Sequence, residues 1–259
     1  KHKIDIFAKH YFNMKHILLF LSLVFFNIAY SQIQPSSKIM NQNSNNLLDF
    51  GAVGDGKTND SAALLRAISI VSKQSSKNII IPNNYNFNLG NVQIDLKKFD
   101  SGFVFEFQDG ILSNAILIGN NTRIKADRSK IFENINLSGS FISATDFAYP
   151  EWFGCFPNDK KIDLVDALKM LDGVFYDISL GTGNYYTQKG EYMVRGLSGV
   201  SMANSRVILE TDKSYTYLFS IGKIGGTLKD RNYDYNYIKN LSLHISRKSA
   251  GVQLKGNRG

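Results

Sequence analysis

Residues 48–68 read "LDFGAVGDGKTNDSAALLRAI", a glycine-dense turn set between an apolar stretch and an amphipathic helix. Gly54-Asp55-Gly56 is a turn by composition, because glycine tolerates positive φ and aspartate bonds neighbouring backbone amides. Thr58, Asn59 and Asp60 can cap a helix that starts near Ser61. Leu64, Ile68 and Val71 fall at i, i+4 and i+7, one apolar stripe. "NIIIP" (78–82) follows as a short buried strand. A phosphate loop deserves comparison, because Lys57-Thr58 is present and the Gly51 to Gly56 interval is right. Asp55 inside the loop opposes bound phosphate, however, and that disfavours a nucleotide site.

The stretch resembles the N-terminal signature of the pectate lyase superfamily, close to D-F-G-A-x-G-D-G-x-T-D-D-T-x-A-I-x-x-A-I. The matches are Asp49, Phe50, Gly51, Ala52, Gly54, Asp55, Gly56, Thr58, Asp60, Ala63, Ala67 and Ile68. Asn59 stands where that family has aspartate, and Ser61 where it has threonine. The resemblance implies an all-β fold, a right-handed parallel β-helix (solenoid), with a short capping helix near 61–74 over the open end of the core.

A second, degenerate copy begins at Glu151, in "EWFGCFPNDKKIDLVDALKML", without gaps at an offset of 103 residues. Phe50 meets Phe153, Gly51 meets Gly154 and Asp60 meets Asp163. Leu164, Leu168 and Leu171 keep the helix spacing. Pro150-Glu151-Trp152-Phe153-Gly154 is similar to the segment that introduces a second signature in tandem members of the family. "DISLGTGNYYT" (177–187) repeats the strand and turn of "NIIIPNNYNF" (78–87). Short apolar runs of four to six residues follow each copy, broken by Gly, Asn, Ser and Asp. An antiparallel sandwich gives similar strands. Asparagine at the turns suits a solenoid, where stacked amides bond from rung to rung.

"MKHILLFLSLVFFNIAYSQ" (14–32) has a short positive start, an apolar run, and Ala29 and Ser31 at the positions of a cleavage site. The expected organisation is upstream read-through over 1–13, a signal peptide over 14–31 and a polar linker over 32–46. A first β-helix segment then spans 47–150, and a second spans 151–259 and is truncated at its C-terminal end. The protein is expected to be secreted or at the cell surface, with no stable membrane span once the signal is removed. The chain has 259 residues and a formal net charge of +8. Part of that excess lies in Lys1, Lys3, Lys9 and Lys15, and no clustered Lys/Arg run marks a nucleic-acid footprint. A single cysteine excludes an internal disulfide. Cys155, opposite Ala52 in the first copy, reads as a packed thiol.

The resemblance implies a polysaccharide partner, acidic in the lyases, and an activity of lyase or glycoside-hydrolase type. It assigns no catalytic residue in this chain. No cofactor is evident, and calcium enters only through the family likeness. Lyases need a base and cations that hold developing charge, and hydrolases need paired carboxylates. Asp230 and Asp234 are the nearest approach to a carboxylate pair, with a solvated loop as the competing reading. Tyr233, Tyr235 and Tyr237 alternate and share one face if extended, which suits sugar rings or a plain strand edge. Lys239, Arg247 and Lys248 can pair with uronates, and His244 reads as a rung residue. The alternative function is a non-catalytic β-helix adhesin or glycan-binding surface protein. A trimeric spike-like appendage is a third reading, and the export signal argues against it. An outward cluster of Asp, Lys or Arg favours the enzyme; continued Asn/Gly repeats without one favour the adhesin.

Overall fold

The computed structural model describes residues 45–99, 102–172, 174–194, 196–221, 237–245 and 250–254. The first signature is a knot tied by its own polar atoms. Asp49 lies in the 3-10 turn Leu47–Phe50, which closes at Gly51 with φ 84°. Arg66 donates back to the Phe50 carbonyl at 2.8 and 3.1 Å. The Asp55 carboxylate accepts from the Lys57 and Thr58 amides and the Thr58 hydroxyl, bonds that hold it below the usual carboxylate range. Gly54 has φ 69°, and a Cβ there would stand 2.7 Å from Tyr85 and 2.9 Å from Phe87, so only glycine fits.

The expected cap is divided between two residues. Asn59 accepts from the Ser61 amide at 3.0 Å. Asp60 is buried and turns backward, accepting from the Val53 and Gly54 amides at 2.7 and 3.0 Å. Those amides would otherwise be left without a partner under the helix, a larger cost than an imperfect cap. The helix α1 (Ser61–Val71) buries Ala63, Leu64, Ala67, Ile68 and Val71, the face its spacing sets.

Around it, β1 (Asp55–Asn59), β2 (Asn78–Ile81), β3 (Asn86–Asp95), β4 (Val104–Phe107), β5 (Ile111–Lys125) and β6 (Phe132–Ser143) form one sheet. Every pairing in it is parallel. The sequence suggests runs of four to six residues, yet β3, β5 and β6 have 10, 15 and 12. They are long because the ladder continues through a corner. Register slips between Asn88 and Val92 and between Gly119 and Thr122, and Gly90, Asn91, Asn121 and Gly139 take positive φ there. Glycine and asparagine are the residues that reach that region cheaply. The expected amide stack is present: Asn134 donates to Asn114 at 3.1 Å, Asn114 to Asn88 at 3.0 Å, and Asn88 to the Lys57 carbonyl at 3.0 Å.

The second signature repeats the first. A 3-10 turn, Pro150–Phe153, closes at Gly154 with φ 84°, and α2 (Leu164–Leu171) follows, three residues shorter than α1. Asp163 does cap α2, accepting from the Val165 amide at 2.9 Å, and its carboxylate also takes the Thr187 hydroxyl and the Gln188 amide. Nine strands come next: β7 (Asp177–Ser179), β8 (Gly183–Thr187), β9 (Tyr192–Val194), β10 (Gly196–Ser198), β11 (Ser205–Leu209), β12 (Tyr217–Ile221), β13 (Tyr237–Lys239), β14 (Ser242–His244) and β15 (Ala250–Leu254). They sort into three parallel sheets, β7-β10-β13, β8-β11-β14 and β9-β12-β15. Consecutive strands thus enter different sheets, and the fourth returns to the first.

The chain is all-β in character, with two α-helices among the described residues. One apolar core runs through both halves. Phe132 meets Phe153 at 5.2 Å, and Phe175 meets both Phe141 and Trp152. Backbone bonds cross the junction as well, from the Ala148 amide to the Asp177 carbonyl and from Ile131 to Trp152.

Candidate functional site

In the sheet β7-β10-β13, Asp177, Gly196 and Tyr237 share one register row. Side chains alternate along a strand, so Ile178 and Leu197 point into the core while this row faces outward. The Tyr237 hydroxyl donates to Asp177 Oδ1 at 2.5 Å, spanning the strand between them. Gly196 permits the reach: a Cβ there would stand 2.8 Å from Asp177 Oδ1 and 3.1 Å from the Tyr237 ring. Lys239, two residues on and on the same face, sets its Nζ 4.5 Å from the ring centroid. Partial burial, then the bond to Asp177 and its charge, push the Tyr237 phenol above its ordinary range. The phenol therefore stays protonated near neutral pH and serves as a donor, not as a base.

The row combines a carboxylate, an aromatic ring and an ammonium on one outward face. Such groups can accept sugar hydroxyls, cover the C–H face of a ring and pair with an acidic group. Tyr237 and Lys239, which the sequence singles out separately, stand on one strand, β13. Asp177 is 60 residues from Tyr237, and no local pattern marks it. Tyr233, Tyr235, Asp230, Asp234, Arg247 and Lys248 lie outside the described residues. His244 is an exposed rung residue on β14, in register with Ile208 of β11. Across β11 in the same row, Tyr186 of β8 lies under Lys160, whose Nζ is 4.5 Å from the ring centroid and pairs with Glu210.

A second polar group is internal. Glu151, 2% exposed, accepts from the Tyr185 hydroxyl at 2.5 Å and from Arg128 Nη1 at 3.1 Å. Arg128 also donates to the Ser179 carbonyl and hydroxyl, each at 2.9 Å, and lies 4.1 Å over the Tyr149 ring. Gly181 belongs to the same group, since its amide donates to the Tyr185 hydroxyl at 2.7 Å. Burial and the Glu151 charge push the Tyr185 phenol far up. This group ties the segment after β5 to the second signature and to β7 and β8.

Cys155 is buried, as its place opposite Ala52 suggests. Burial first, then the charges of Glu151, Asp163 and Asp159, push its thiol up from 9.0 to about 12. The folded chain therefore keeps a proton that the unfolded chain releases near pH 9. Bound protons are then fewer in the unfolded state, so stability falls as pH rises from 9.0 to about 12. Titration with a disulfide reagent near neutral pH is expected to leave Cys155 unmodified until denaturant unfolds the chain.

Among the described residues, no three His, Cys, Asp or Glu side chains converge as a metal site, and no helix is long and apolar enough to cross a membrane. Comparison with protein-family models, with curated proteins and with solved structures finds no match to this chain.

Proposed function

We propose that this chain is a secreted, carbohydrate-active protein of the pectate lyase superfamily, a right-handed parallel β-helix that handles polysaccharide as a lyase or glycoside hydrolase. The observation that carries the reading is the outward row Asp177–Gly196–Tyr237, with Lys239 beside it on a parallel sheet. Supporting it are the two 3-10 turns, each closed by a glycine near φ 84° and each followed by a helix. The cyclic hand-over of strands among three parallel sheets is compatible with solenoid coiling. Lys239 suits an acidic polymer such as polygalacturonate.

A second reading, a glycan-binding protein without catalysis, draws on the bond between Tyr237 and Asp177. These two groups satisfy each other, an arrangement that suits preorganised binding. Incubation with polygalacturonate, rhamnogalacturonan and alginate, following ultraviolet absorbance and new reducing ends together, separates the readings. Absorbance rising with reducing ends is the signature of β-elimination, and reducing ends alone are that of hydrolysis. Neither signal from a folded chain would remove the enzymatic reading for these substrates and leave the binding one.

A further inference from the structure

Where α2 packs against β6, a cleft of about 460 Å³ is lined by Ile135, Asn136, Leu137, Asp166, Met170 and Asp172, with Lys169 at the same helix face. Its place follows from the fold. Among the described strands β6 pairs with β5 alone, and α2 packs against β6. The cleft is within the ~300–1,000 Å³ typical of small-molecule sites. Its two carboxylates are held from behind: Asp166 by Lys189, and Asp172 by the Tyr192 hydroxyl at 3.1 Å. Between them Met170 is 43% exposed.

We infer that this cleft binds a neutral saccharide. Fixed carboxylates accept pairs of sugar hydroxyls, and the Asn136 amide both donates and accepts. Met170 offers a soft apolar surface to the C–H face of a ring. Lys169 and Lys189 balance the two carboxylates, so the cleft carries no net positive charge to draw in uronates, sulfates or phosphates. The polar walls interrupt the apolar surface too often for an acyl chain. None of these residues belongs to the Tyr237 row, so the inference stands apart from the function proposed above.

The test uses the full chain labelled with 13C at its methionine methyls. Met170 is assigned by Met170→Leu, and the exposed Met202 serves as reference. Neutral oligosaccharides of glucose, galactose, mannose and N-acetylglucosamine are titrated beside oligogalacturonate. At least one neutral sugar is expected to shift the Met170 methyl saturably, while oligogalacturonate at equal concentration does not. Asp172→Asn, which keeps an acceptor for Tyr192, is expected to weaken that binding about tenfold with an unchanged melting curve. The inference is overturned if no neutral sugar moves Met170, if oligogalacturonate moves it equally, or if Asp172→Asn binds as the parent does. Loss of binding at the Tyr237 row would leave this titration unaffected, so the two failures are distinguishable.

Discussion

Trp152→Ala is expected to lower the unfolding free energy by about 4 kcal/mol, read from urea unfolding followed by far-ultraviolet circular dichroism. Trp152 is the only tryptophan and has no exposed surface. Its ring meets Tyr149 and Phe175 edge-on, each at 5.4 Å, and its indole N–H donates to the Asp127 carbonyl at 2.9 Å. Truncation to alanine removes the largest buried side chain, opens a cavity between the two halves and strands a carbonyl. Trp152→Phe restores most of the ring and loses only the indole bond and some volume, so its loss should be about half as large. Equal stability of Trp152→Ala and the parent would mean that the second signature does not organise the core.

Glu151→Ala is expected to cost about 3 kcal/mol, a fall of roughly 10 °C in melting temperature. The mutation takes the carboxylate from Arg128 and the acceptor from Tyr185 at once. Removing one member of a buried charge pair leaves the other uncompensated. Arg128 keeps 32% side-chain exposure and its bonds to Ser179, which places the cost at the lower end of the range for such pairs. Glu151→Gln retains size and an acceptor, and a smaller fall separates loss of charge from loss of packing. A melting temperature unchanged in Glu151→Ala would overturn this account of the junction.

Much of the fold is legible in local chemistry. Gly51 and Gly154 announce themselves because a turn closing near φ 84° excludes other residues cheaply. Asp55 finds its partners within three residues, and the faces of both helices follow from i, i+4 spacing. The amide stack was readable as a composition, asparagine at turns, though not as the particular trio Asn88, Asn114 and Asn134. What stayed hidden depends on pairings across coils. Arg128 sits in an ordinary polar loop sequence, and nothing near it names Glu151, 23 residues on, or Ser179, 51 residues on. Asp60 has the spacing of a helix cap before Ser61; the amides of Val53 and Gly54, the latter buried, explain its turn away. The long bent strands were missed for a related reason. A glycine or asparagine inside a strand pattern reads as an end, although a parallel ladder can continue through it.

The candidate site divides in the same way. Alternation marks Tyr237 as one of three tyrosines on a shared face, whereas Lys239 over its ring, Asp177 across the sheet and the gap at Gly196 come from the packed strands. Polysaccharide affinity electrophoresis tests the central proposal most directly, with polygalacturonate, rhamnogalacturonan or alginate cast into native gels. The parent chain is expected to be slowed by at least one of these polymers, and Tyr237→Ala, melting as a folded protein, to bind it about fivefold more weakly. A parent chain that migrates unhindered through all three, or a Tyr237→Ala variant slowed as much as the parent, would contradict the proposal that this outward face handles polysaccharide.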